Sequence, residues 1–182
     1  QERGEAWVAA ARDAIAPKLA AATVVGTMPN VPANRLSSQL DLGGPSHTVA
    51  AEERSGIVAL GLARRALEER EIDAALVCAS EVCSEPVHEA ALKELRIEAV
   101  TGDAAIVLLL EREEDAKKSD RTILAYLGDD GDAKTTWRSE RSEVERLFGR
   151  PHAAVGLLHV AMGAIELAFG EARSAGLTIE VP

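Results

Sequence analysis

Basic residues are scarce relative to acidic ones: 20 Lys and Arg stand against 30 Asp and Glu in 182 residues, a formal charge of −10. A surface of that sign repels phosphate backbones and anionic lipid headgroups, so neither nucleic acid nor a membrane is an expected partner. Cysteine is scarce too. Cys78 and Cys83 stand alone, and a C-x4-C spacing with no second pair of ligands does not make a structural zinc site; both read as reduced, structural thiols. No apolar stretch reaches the roughly 18 residues that span a bilayer. The first residues, "QERGEAWVAA", lack the charge-then-apolar layout of a signal peptide, and a cytoplasmic location is the expectation. Internal repeats and low-complexity tracts are missing as well. The chain opens on helical sequence without an apolar strand and stops on "LTIEVP", which reads as a piece of something larger.

What is present is enough apolar material, 47% of residues, for one well-packed domain. Residues 5 to 21 place Trp7, Ala10, Ala11, Ala14 and Ile15 at helical spacing up to Pro17, and "ATVVGTM" reads as a short strand. Pro and Gly then bracket a short helix over 33 to 40. Gly43, Gly44 and Pro45 turn into a strand over 46 to 51. Apolar residues cover most of the circumference of a helix from Arg54 to Arg70. "IDAALVCAS" and "DAAIVLLLE" are nearly uninterrupted apolar runs of strand length, the pattern of strands covered on both faces. The resulting β-α-β order implies a parallel or mixed sheet. A helix over 85 to 95, a solvated connector "EREEDAKKSDR", a strand "TILAYLG" and an exposed turn "GDDGD" follow; the last has too few spaced oxygens for a calcium loop. From His152 a helix is apolar almost all round, with Gly156 and Gly163 on one side permitting close backbone approach.

Between Gly44 and Leu60, "GPSHTVAAEERSGIVAL" runs from a turn through an extended stretch into a helix, the kind of corner where many enzymes hold a nucleophile. A helix start offers unpaired N–H groups and the positive end of the dipole, which lowers the pKa of a cysteine placed there. Here the corner carries Glu52 and Glu53, then Arg54 and Ser55. By charge alone, acids in a first turn are favoured by about 0.3 to 1 kcal/mol each. Ser55 needs a base held against it. His47, His88, His152 and His159 show neither ligand nor triad spacing, so each reads as a structural or surface histidine and no metal site is expected.

Residues 34 to 80 resemble the β-ketoacyl synthases, the condensing enzymes of fatty-acid and polyketide synthesis. Asn34-Arg35, Asp41-Leu42, Gly44-Pro45-Ser46, Thr48-Val49, Val58-Ala59-Leu60, Ala63, Ala66-Leu67 and Asp73-Ala74-Ala75-Leu76-Val77 stand in family order, and "GDAAIVLLLE" is similar to the glycine-containing strand that follows. The resemblance covers 22 to 112 as the half around the nucleophile and, more thinly, 149 to 168 as a late helix of the other half, with the whole of 1 to 182 as one ketosynthase-like domain. It implies a thiolase-like layered α/β/α fold with a mixed sheet, incomplete relative to a full condensing domain. Either the protein is a truncated form, or stretches are omitted between its matching parts, around 97 to 101 and 128 to 149.

In the family the seventh residue after Gly-Pro-Ser is the cysteine that carries the acyl chain. Here it is Glu53, and a carboxylate cannot store an acyl thioester. "GRPHAAVGLLHVAMGAIE" is similar to the late helix that normally begins Gly-His-x-Glu, which sets Arg150 at a catalytic histidine and His152 at the usual glutamate. The loop holding the other histidine has no match. "TMPNVPANRL", "AAEERSG" and "EPVHEAAL" look most like the chain-length-factor-type domains of polyunsaturated fatty acid and polyketide synthases. The resemblance thus implies a non-condensing partner of an active ketosynthase, or of a second copy, with no cofactor of its own and an acyl carrier protein bringing phosphopantetheine. Glu53 would accept N–H bonds at the helix start, or pair with Arg54 or with a basic group across the dimer. The alternatives are decarboxylation of malonyl-carrier protein, which wants histidines at the enolate, a still-active synthase, and an acyltransferase using Cys83 or Cys78, neither of which stands at a helix start.

Overall fold

The computed structural model describes residues 2–16, 20–83, 86–97, 100–128, 135–136, 141–169 and 177–178. Pro17, most of the "GDDGD" turn and parts of the two stretches where the family match breaks off lie outside them. Two compact units divide between Thr48 and Val49.

The first unit holds three helices: α1 (Glu2–Ile15), α2 (Ala21–Gly26) and α3 (Val31–Gln39). The strand expected from "ATVVGTM" is instead α2. β-branched residues favour strands only where a ladder partner exists. Here the backbone is satisfied locally: the Val24 N–H donates to the Ala20 carbonyl at 3.0 Å, and the Thr27 hydroxyl caps the last turn through the Val24 carbonyl at 2.8 Å. Pro32 sits in the first turn of α3, where its missing N–H costs nothing. No described residue of this unit is buried; Trp7, Ile15, Val25 and Leu40 are all exposed.

In the second unit a 3-10 turn (Glu52–Arg54) leads into α4 (Ser55–Glu68), followed by β1 (Ala74–Glu81), α5 (Pro86–Glu94), β2 (Ala104–Glu111) and α6 (Glu113–Lys118). Then come the two-residue β3 (Thr135–Thr136), α7 (Arg141–Phe148), a second 3-10 turn (His152–Ala154), α8 (Val155–Phe169) and β4 (Leu177–Thr178). β1 and β2 pair antiparallel, Ala74 opposite Glu111 through Glu81 opposite Ala104. β3 and β4 pair parallel. Residues 46–51 have no ladder partner among the described residues, so the expected β-α-β unit is reduced there to a helix followed by a strand.

α4 and α8 pack on one face of β1 and β2. Leu60, Val77, Ile106, Val144, Ala154, Leu157 and Leu158 form the core there. Side chains alternate across a strand, and the opposite face leaves Leu76, Val107 and Leu109 exposed. The expectation of cover on both faces is therefore met on one. "TILAYLG" forms no strand either; residues 121–128 are irregular, with Arg64 holding the Gly128 carbonyl at 3.2 Å. The charged connector, by contrast, folds into α6. Its first turn is acidic and its last basic, matching the dipole.

Residues 152–169 are long and apolar enough to cross a membrane by length and composition, against the expectation that no stretch is. Val155, Gly156, Leu157, Leu158, His159 and Gly163 are nonetheless buried in the protein. The first half of this helix supplies Leu157 and Leu158 to the core, whereas Ile165 and Phe169 near its end are exposed.

Arg112 stitches the end of α4 to the start of β1. Its guanidinium donates to the carbonyls of Leu67 (3.2 Å) and Ile72 (2.6 Å), to Asp73 Oδ1 (2.8 Å) and to Asp115 Oδ2 (2.7 Å). Those carboxylate bonds raise the Arg112 pKa further above its ordinary value.

Candidate functional site

The corner before α4 is held by its own backbone. Glu52 has φ +53°, a left-handed conformation that is costly for a residue with a Cβ. The Ser55 hydroxyl fastens it, accepting the Ala51 N–H at 2.9 Å and donating to the Glu52 carbonyl at 2.7 Å. Ser55 is thereby engaged with backbone on both sides. The next residue, Gly56, lets α4 meet α8: a Cβ there would lie 2.9 Å from the Leu157 Cβ.

Glu53 and Arg150 meet across this seam. Arg150 Nη2 donates to Glu53 Oε2 at 2.9 Å, with the Arg150 side chain 27% and the Glu53 side chain 37% exposed, so the pair is more buried than open. Sequence reading offered Arg54 as the partner within the chain; the structure gives Arg150, and Arg54 is exposed. An imidazole flanks the pair. His152 lies with Nε2 3.3 Å from Glu52 Oε2 and Nδ1 3.7 Å from Glu53 Oε1. The two acids that composition treats alike therefore differ: Glu52 is almost fully exposed and, among the described residues, its carboxylate meets the imidazole alone, whereas Glu53 lies between Arg150 and His152.

Elements distant in sequence place these groups. Glu81, at the end of β1, accepts the Ala153 N–H at 3.1 Å and so caps the turn that carries His152. His88 of α5 lies beside His152, ring centroids 5.7 Å apart and tilted by 56°. Nothing in the sequence spacing marks either contact, because 72 residues separate Glu81 from Ala153. Among the described residues no group of three His, Cys, Asp or Glu could hold a metal ion.

The thiols stand apart from this cluster's charges. Cys83 is buried; its N–H donates to Asp103 Oδ1 at 2.8 Å and its Sγ–H lies 3.9 Å from the Arg150 carbonyl. Cys78 lies on the open face of β1, and partial burial pushes its thiol above the ordinary value, away from thiolate. Among the described residues neither thiol is hydrogen-bonded to a cationic side chain of the kind that activates a cysteine.

Chemically, the corner presents a carboxylate already bonded to a guanidinium. An ionised carboxylate is an acceptor only, and its best acceptor geometry is taken up by Arg150. Such a pair orders a seam between two helices and offers no free nucleophile.

The model of the β-ketoacyl synthase N-terminal domain matches residues 5–116. A highly reducing polyketide synthase, GPY1, of Gibberella fujikuroi is 40% identical over 79 residues, which is 43% of this chain and 3% of that protein. The reducing polyketide synthase pksF of Alternaria solani is 30% identical over 145 residues, 69% of this chain and 6% of that protein. The matched part is thus a small fraction of either relative. Among solved structures, the ketosynthase from module 6 of the bacillaene synthase of Bacillus subtilis 168 superposes with a TM-score of 0.52 at 20% identity, over 79% of this chain and 33% of that one. A type II polyketide ketosynthase bound to its acyl-carrier protein, AntDE:AntF, gives a TM-score of 0.50 at 22% identity, over 56% and 33%. At those identities the likeness is one of fold, the thiolase-like ketosynthase fold represented in part. With the family model covering more than half of the chain, this protein belongs to the β-ketoacyl synthase family.

Proposed function

We propose that the chain is a ketosynthase-like part of a polyketide-type synthase whose own corner does not condense acyl groups, and that it serves an active ketosynthase in the manner of a chain length factor. One observation carries the reading. The residues at the nucleophile position and at a catalytic histidine position by family resemblance, Glu53 and Arg150, are bonded to each other at 2.9 Å. Condensation needs a group that accepts the acyl chain and a base or electrophile to serve it. A carboxylate cannot store an acyl thioester, and this one is already bonded to the guanidinium that stands in place of the imidazole. The partner is then an active ketosynthase or a second copy, and the substrate arrives on the phosphopantetheine arm of an acyl carrier protein; the carrier complex of AntDE:AntF supports that class of partner. The polyunsaturated-fatty-acid subtype is supported by the resemblance of "TMPNVPANRL", "AAEERSG" and "EPVHEAAL".

The test has two arms. Incubated with acyl-thioester and malonyl-carrier protein, the chain is expected to retain no acyl group and release no carbon dioxide above background. Turnover that disappears in Glu53→Ala would establish the decarboxylase instead. Co-expressed with a cysteine-containing ketosynthase from the same synthase, the chain is expected to co-purify and to shift product length; an independent monomer in the presence of that ketosynthase would overturn the partnership.

A further inference from the structure

Arg150 reaches Glu53 because the backbone before it passes unusually close to another segment. The Thr101–Arg150 bridge is parallel, and the Arg150 N–H donates to the Val100 carbonyl at 2.8 Å. At the crossing both chains are glycine. A Cβ on Gly102 would lie 1.9 Å from the Phe148 carbonyl oxygen, and one on Gly149, which has φ +66°, would lie 2.8 Å from the Gly102 Cα and from the Thr101 carbonyl oxygen. On its other side the Arg150 carbonyl faces the Cys83 thiol at 3.9 Å, and Cys83 is itself fixed by Asp103 through its N–H at 2.8 Å. The Arg150 peptide is therefore held at its N–H by 100–102 and at its carbonyl by the segment after β1. The Arg150 Nε is buried with no hydrogen-bond partner among the described residues, a cost that a freely placed arginine would avoid.

We infer that Gly102 and Gly149, with Cys83 and Asp103 behind them, are positioning residues whose role is to set Arg150 against Glu53. This rests on the reading that the Glu53–Arg150 pair is the working feature of the corner. It assigns to two glycines and a buried thiol a purpose beyond filling space.

The experiment is a set of double-mutant cycles on the full chain, read by thermal unfolding. Gly149→Ala, Asp103→Asn and Cys83→Ala are each made in the parent and in an Arg150→Gln background. Each chain is also made with Glu53→Gln, and the coupling of Glu53 to Arg150, the non-additive part of their two single losses, is expected to fall by at least about half in each positioning variant; an unchanged coupling would overturn the proposal. Should Gly149→Ala fail to fold, Cys83 carries the test through the Arg150 Nε–H resonance. Its hydrogen exchange is expected to speed up in Cys83→Ala and to return toward the parent rate in Cys83→Ser, which keeps a donor. Unchanged exchange in Cys83→Ala would overturn the role of the thiol. Acyl transfer by the parent chain would overturn the proposed function and leave these cycles standing, so the two failures are distinguishable.

Discussion

Glu53 and Arg150 are 97 positions apart in sequence and 2.9 Å apart in space, and the strength of that contact is set by its partial burial. Glu53→Gln keeps the shape and removes the charge, so it is expected to cost about 1 to 2 kcal/mol of unfolding free energy, and much less in an Arg150→Gln background. Urea unfolding of the four chains measures the difference. Glu53→Cys puts a thiol at a helix start beside a guanidinium, conditions that favour thiolate. Iodoacetamide is expected to label that residue faster than Cys78 or Cys83, while condensation stays at background because Arg150 still stands at the catalytic-histidine position of the family resemblance. Glu52 stores strain at φ +53°. Glu52→Gly is expected to be more stable than Glu52→Ala by about 1 kcal/mol, since both lose the carboxylate and only glycine relaxes the backbone. Equal stability of the two would show that the left-handed turn carries no strain.

At the scale of elements, two joints hold the second unit together. One is the contact of α4 with α8 at Gly56, where Gly56→Ala pushes a methyl to within 2.9 Å of the Leu157 Cβ; overpacking of this kind costs about 1 to 3 kcal/mol, and chemical denaturation will read it. The other is Arg112, bonded to α4, to the start of β1 and to α6. Arg112→Gln is expected to lower the melting temperature more than Arg65→Gln, whose pair with Glu69 is exposed. The same joint makes stability depend on pH. The hydrogen bond from Arg112 is the main cause that holds the Asp115 carboxyl below its ordinary value, and Lys117 does the same for Glu113. A carboxyl depressed in the folded state contributes stability above its unfolded pKa and loses it as pH falls through the lower folded value. Between about pH 5 and about pH 3 the parent is therefore expected to lose more stability than Asp115→Asn.

Across the whole molecule, the sequence by itself determined the elements whose signal is local. The helices over 55–68 and 155–169 and the strands over 74–81 and 104–111 follow from apolar runs and periodicity, and the family follows from the ordered motif around the corner. Where the signal depended on a partner, the expectation failed: "ATVVGTM" and "TILAYLG" have strand composition and no strand beside them among the described residues, and one is α2 while the other is irregular. The same physics leaves one face of β1 and β2 open although both runs are apolar throughout. At the site, family resemblance marked Glu53 and Arg150 as substituted positions, and only the tertiary structure decided that they bond to each other, that His152 lies between the two acids, and that Glu81 and His88 attend it. Composition and spacing report what a residue can do within about one helical turn or one strand. Which cation meets a given carboxylate is decided by how close two backbones can pass, and here that was set by Gly56 against α8 and by Gly102 crossing Gly149.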